Sequence, residues 1–133
     1  MSRPPANPRR LDDQRHGHLA EALACAVMML RGYRIRARRE RTPYGEIDII
    51  AVRGSRVAFV EVKYRSTIED GYAALQGAQS RRIADAAEHW VSRRRAFEAS
   101  DLGFDAVIVV PWRWPIYLKD AMQPIGTDVR ADR

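Results

Sequence analysis

Apolar residues recur at helical spacing early in the chain. Leu19, Leu23, Val27 and Leu30 fall on one face of a helix that Asp12 or Asp13 can cap and Gly32 can end, which predicts an α-helix running to about Arg31. The period then changes to two: Tyr33-Arg34-Ile35-Arg36-Ala37 alternates apolar with charged, as a half-buried edge strand does, and the arginine-rich stretch to Thr42-Pro43 forms its exit. Glu46 to Val52 and Arg56 to Tyr64 are β-rich runs joined by Gly54-Ser55, a glycine-first pair suited to a two-residue hairpin turn. After a loop through Ser66 to Gly71, helical spacing returns with Ile83, Ala86, Ala87, Trp90 and Val91, in a segment from about Ala78 to Phe97. Phe104 to Val110 is a nearly continuous apolar run stopped by Pro111, the pattern of a strand covered on both faces. The order α-β-β-β-α-β predicts an α/β fold in which a mixed β-sheet is flanked by helices.

Composition narrows the setting. Residues 1–10 hold three prolines and three arginines with little to bury, and 123–133 are similarly polar, so both ends read as disordered tails around one domain at 11–122. A net charge of +6 favours a polyanionic partner, nucleic acid ahead of an anionic membrane surface. Cys25 is the sole cysteine, which excludes an internal disulfide or a thiolate metal cluster and points to a reducing, cytoplasmic compartment. No stretch reads as a signal peptide or approaches the roughly 20 apolar residues that cross a bilayer. His16, His18 and His89 lack metal-ligand spacing.

The hairpin carries the chemistry. A turn centred between Gly54 and Ser55 pairs Asp48 with Glu61 and Glu46 with Lys63, and period-two alternation brings all four to one face, with Ile47, Ile49, Val60 and Val62 on the other. Carboxylates about 5 Å apart repel by about 3 kcal/mol at an effective dielectric near 20. A shared proton, Lys63 or a divalent cation can offset that repulsion, and oxygen-only ligands favour Mg²⁺ or Mn²⁺ over zinc. Only two of the 23 basic residues are lysines, so Lys63 beside the carboxylates stands out as a group able to orient or deprotonate water. Glu46 serves equally well as a plain salt-bridge partner of Lys63.

Gly45-Glu46-Ile47-Asp48-Ile49-Ile50 followed by Phe59-Val60-Glu61-Val62-Lys63 resembles the PD-(D/E)xK nuclease superfamily, and most closely its YraN family of small bacterial proteins. The similarity extends to Gly17 and Glu21, Gly32-Tyr33, Arg65 and Phe104-Asp105. The resemblance implies a restriction endonuclease-like core in which Asp48 and Glu61 bind Mg²⁺ or Mn²⁺, Lys63 assists the attacking water and Glu21 approaches from the first helix. It implies a metal-dependent endonuclease acting on DNA, with branched or single-stranded repair intermediates and a homodimer suggested by analogy with junction resolvases. The alternative is a nucleic-acid-binding or partner-binding module with this fold and little hydrolysis. Two departures from the family pattern bear on phosphate binding: Gln79 stands near a position often basic, and Gly103 stands where an arginine often precedes the Phe-Asp pair. Arg39, Arg41, Arg65, Arg81 and Arg82 are the candidate phosphate contacts, sequence-independent in character. Trp112 and Trp114 around Arg113 read better as a packed cap on the core than as a base-stacking pair.

Overall fold

The computed structural model describes residues 8–75 and 79–122, with side chains from residue 17 onward except at residue 79. The tails expected at 1–10 and 123–133 therefore lie outside the described residues, apart from 8–10. Those three residues open helix α1, Pro8–Leu30, where proline at the first helical position loses no needed hydrogen bond. Asp12 and Asp13 sit inside this helix rather than capping it.

Strands β1 (Arg34–Thr42), β2 (Gly45–Arg53) and β3 (Arg56–Tyr64) follow, then helices α2 (Ile68–Ala73) and α3 (Gln79–Ser92), strand β4 (Asp101–Val109) and strand β5 (Ile116–Leu118). The expected order survives with two short additions, α2 and β5. The Thr67 side chain starts α2 by accepting the Asp70 N–H at 3.1 Å. At its other end α3 stops at Ser92, and a 3₁₀ turn over Arg95–Phe97 takes the remainder of the expected helix. The arginine-rich stretch expected to leave the first strand belongs to β1 itself.

The sheet order is β1-β2-β3-β4-β5, with β1 at an edge as its alternation predicts. Only β3 and β4 run parallel, and the crossover between them carries α2 and α3. Helix α1 covers one face, placing Ala20, Ala24 and Met28 against Ile49, Ala58, Val60 and Val107. Helix α3 covers the other, with Ile83, Ala86, Ala87 and Trp90 against Ile47, Ile50 and Phe59. The result is the helix-flanked mixed sheet of a restriction endonuclease-like core.

The stripe that spacing suggested on α1 is met in its middle, where Val27 is buried and Leu23 packs against the core, but not at its ends. Leu19 and Leu30 remain 57% and 74% exposed, while Ala20, Ala24, Val27 and Met28 face inward. Ala20 and Ala24 sit between α1 and the sheet, Met28 fills the end of the same face, and Leu19 and Leu30 fall outside it. Among the described residues no helix is long and apolar enough to cross a membrane.

Candidate active site

The hairpin turn forms where expected, with Gly54 at φ +60°, and sets the register Arg53↔Arg56 through Ile49↔Val60. The ladder stops there. Asp48, the next residue on β2, uses its own Oδ2 to accept the Val62 N–H at 2.8 Å, so a side chain replaces the backbone acceptor and the two strands separate. This separation changes which way the flanking residues face. Ile47 packs in the cluster beneath α3, whereas Ile49 packs in the cluster beneath α1, although strict alternation would put them together. The expected single face of Glu46, Asp48, Glu61 and Lys63 is corrected accordingly. Glu46 does not meet Lys63; it lies 3.9 Å from Arg41 at the surface.

A matching irregularity occurs alongside in β1, where Arg39 has φ +49°. That left-handed residue lets two successive side chains reach the same helix: Arg39 Nη1 donates to Glu21 Oε1 at 2.6 Å, and Arg38 Nη2 lies 3.8 Å from the same oxygen. Glu40 then points to the opposite side, 3.9 Å from Arg94. Glu21 is thus brought to the sheet by α1 and buried against β1.

Glu61 is held between two cations. Lys63 Nζ approaches its Oε2 at 3.1 Å, and Arg82 Nη2 donates to its Oε1 at 3.2 Å. Arg82 reaches across from α3 and also donates to the Glu46 carbonyl at 3.0 Å. Its path runs over Gly45, which has φ +122° and where an added Cβ would come within 2.7 Å of Arg82 Nη1. Glycine at 45 therefore serves both the backbone and the arginine passing over it. Arg39 and Arg82, grouped in the sequence with phosphate contacts, have carboxylate partners within the chain. Arg41 and Arg81 project into solvent with only long surface pairs to Glu46 and Asp85, both 3.9 Å, which leaves them open to an external anion. Arg65 is anchored at the end of β3, its N–H to the Val109 carbonyl and its Nη1 to the Tyr64 carbonyl.

Burial and the nearby Glu61 carboxylate raise Asp48 from its ordinary 3.8 to about 7; the Val62 N–H and Lys63 oppose the shift without cancelling it. Among the described residues Asp48 has no ion pair within 4.0 Å. A partly buried carboxylate lacking a cation, next to a second carboxylate, is a chemically suitable seat for a hard divalent ion. Mg²⁺ commonly takes one or two protein carboxylates and completes its shell with water and phosphate oxygens. Among the described residues there is no group of three or more His, Cys, Asp or Glu that could hold a metal.

A second polar centre escaped the sequence reading. Asp105 on β4 is completely buried and accepts both Arg56 Nη1 and Nη2 at 2.8 Å, the Tyr117 hydroxyl at 2.6 Å and the Asp120 N–H at 2.8 Å. Arg56 Nη1 donates also to the Tyr33 hydroxyl, and its Nη2 to Asp120 Oδ1. Burial raises the Asp105 carboxyl, but these donors outweigh it and hold the group below its ordinary range. The available signal was an aspartate inside an apolar strand, which demands a partner.

Comparison with known sequences places this geometry in a family. The model of the uncharacterised protein family UPF0102 matches residues 20–109, from the α1 stripe to the end of β4. A UPF0102 protein of Mesorhizobium japonicum is 49% identical over 80% of this chain and 86% of its own length. Similar proteins from Rhizobium meliloti (49% identity; 85% of this chain, 93% of theirs) and Methylorubrum populi (44%; 91% and 98%) extend the match to nearly full length. The chain belongs to the UPF0102 family, the YraN family that its hairpin resembles.

Proposed function

We propose that the protein is a Mg²⁺- or Mn²⁺-dependent endonuclease that hydrolyses phosphodiester bonds of DNA in the cytoplasm, with Asp48, Glu61 and Lys63 as its working residues. The observation that carries this reading is the strand separation at Asp48, which leaves a carboxylate raised to about 7 without a cation partner among the described residues and beside Glu61. In this reading Asp48 and Glu61 hold the ion, which supplies Lewis-acid charge to the phosphate and acidifies water. Lys63, an ammonium already against Glu61, orients the attacking water and faces the negative charge that grows on the phosphoryl oxygens. Arg82 is a positioning residue: its bond to Glu61 fixes that carboxylate, and its bond to the Glu46 carbonyl ties β2 and β3 to α3. Glu21 stands behind Asp48 on α1, held by Arg39, and adds negative charge to the site. Arg41 and Arg81 provide salt-sensitive attraction for the DNA backbone.

The test is cleavage of linear, nicked, flapped and four-way DNA by purified protein with Mg²⁺ or Mn²⁺, alongside calorimetric titration of Mn²⁺. Asp48→Asn and Lys63→Met should each lower cleavage on the order of 10²-fold or more, and Asp48→Asn should also abolish the Mn²⁺ binding heat. Cleavage undiminished in Asp48→Asn would remove the proposal.

A second reading is supported by the pairing of Glu61 with both Lys63 and Arg82, which leaves that carboxylate already neutralised. It makes the protein a DNA-binding module with a nuclease fold. Salt-dependent DNA binding indifferent to Mn²⁺ and to Asp48→Asn, with no cleavage, would select it.

A further inference from the structure

Strands β3 and β4 end together, and beyond them the chain between β4 and β5 folds back toward α1. A groove of about 590 Å³ opens here, lined by Leu19 and Leu23 of α1, Tyr64, Trp112, Arg113 and Trp114. The expected packed cap is absent: Trp112 is 101% exposed and Trp114 67%. Trp112 has φ +65°, a left-handed conformation that a bulky side chain rarely adopts, and Pro111 and Pro115 restrict the backbone on either side. Two indole rings are thus presented to water on a constrained segment.

We propose that this groove is a stacking subsite for unpaired bases of single-stranded DNA, an inference that rests on the nuclease reading for its substrate class. Four observations carry it. Indole faces bind bases without regard to sequence, but only bases withdrawn from a duplex offer a free face. Among its described lining residues the groove holds Arg113 and no acidic side chain, and Arg65 is fixed at the neighbouring strand end, so this charge suits a phosphate backbone. Tyr64, the last residue of β3, packs on the α1 side of the sheet and lines the groove with a third aromatic ring beside the two indoles. Finally, a second copy of this chain is a poor occupant: a two-fold contact would bring Arg113 toward its own equivalent in a molecule of net charge +6.

The experiment measures binding of a labelled oligothymidylate, a few tens of nucleotides long, by fluorescence anisotropy in EDTA, against a duplex of equal length. Replacing both exposed residues, Trp112→Ala with Trp114→Ala, should weaken oligothymidylate binding by about tenfold or more and leave duplex binding unchanged. The corresponding pair of phenylalanine substitutions should retain most of the affinity. Because Trp90 is buried, wild-type intrinsic emission from the two exposed indoles should be quenched by the oligonucleotide. Both replaced side chains are largely solvent-facing, so thermal unfolding of the alanine variant should match wild type.

Unchanged oligothymidylate affinity in the alanine variant, or equal loss toward duplex, would overturn the subsite. So would a tryptophan-dependent dimer in sedimentation, or tryptophan-dependent pelleting with phosphatidylserine vesicles that the oligonucleotide does not compete away. The two readings fail separately. Tryptophan-dependent binding without metal-dependent cleavage retains the groove and removes the nuclease, whereas Asp48-dependent cleavage with tryptophan-independent binding does the reverse.

Discussion

Asp48 on β2 and Asp105 on β4 are both carboxylates withdrawn from water, but only one of them is neutralised by the chain's own side chains. Asp105 receives a bidentate arginine, a tyrosine hydroxyl and a backbone N–H, and it sits below its ordinary titration range. Asp48 receives one backbone N–H, feels Glu61 and Glu21, and rises to about 7. The same sheet therefore holds one satisfied charge that locks β3, β4 and β5 together and one unsatisfied charge at the point where β2 and β3 part. Satisfaction marks a structural centre. The unsatisfied charge, beside a lysine and a second acid, is the one on which the proposed cation site rests.

The largest test of this contrast removes the partner from the satisfied carboxylate. Arg56→Met leaves Asp105 fully buried with no cation, and should lower stability by about 3–5 kcal/mol in urea unfolding. A loss below about 1 kcal/mol would mean that Tyr117 and the Asp120 N–H suffice, and the contrast between the two aspartates would dissolve.

The next test reads the unsatisfied carboxylate through pH. Asp48 titrates higher in the folded chain than in the unfolded one, so between about pH 4 and 7 the native state binds the extra proton. Its contribution is complete below about pH 4 and is lost as pH rises through 7, on the order of 4 kcal/mol for a shift of about three units. Asp105 has the opposite sign: its contribution is present above 3.8 and is lost as pH falls through its lowered value. Glu61 from β3 and Glu21 from α1 face Asp48 with like charge, opposed by Lys63. Metal-free Asp48→Asn, which keeps an oxygen for the Val62 N–H, should flatten the slope between pH 4 and 7 and exceed wild type in stability near pH 8 by about 2–4 kcal/mol. Parallel urea-midpoint curves for the two proteins would refute the assignment.

These two aspartates were not equally legible in the sequence. The hairpin turn, its register and the neighbourhood of Asp48 and Glu61 could be read because glycine-first turn chemistry and strand alternation are local. The separation of strands at Asp48 could not, since a side chain displacing a backbone acceptor breaks the alternation on which the reading relied. That is why Glu46 was assigned to Lys63 and why Ile47 and Ile49 were given one face. Arg82 was named as a phosphate contact, but its pairing with Glu61 was hidden for another reason: the partner lies on a different element, and helical spacing records only neighbours three and four residues away. Arg56 and Asp105 meet across parallel strands joined by a long crossover, beyond any local pattern. The ends of the α1 stripe were misread because Leu19 and Leu30 were preferred to the alanines Ala20 and Ala24 that the sheet accepts at close range. Helix α2 and strand β5, at six and three residues, are too short to establish a period.

The finest test concerns Gly103, a glycine on β4 that borders the satisfied centre. Gly103 lies beside Ala58 in the parallel ladder, and an added Cβ would overlap the guanidinium of Arg56. An arginine end group can ordinarily swing aside, but this one is held by Asp105, Tyr33 and Asp120. Gly103→Ala must therefore displace the pair without deleting it, and should cost about 1–3 kcal/mol, less than Arg56→Met. If Arg56 is the cause, the cost should vanish in the Arg56→Met background, where alanine is an ordinary strand residue that restricts the unfolded chain more than glycine does. Equal losses in both backgrounds would assign the glycine to the backbone instead. In either case the pH slope due to Asp48 should be unaffected, because the substitution alters only the satisfied centre; a changed slope would show that the two carboxylates are coupled through the sheet.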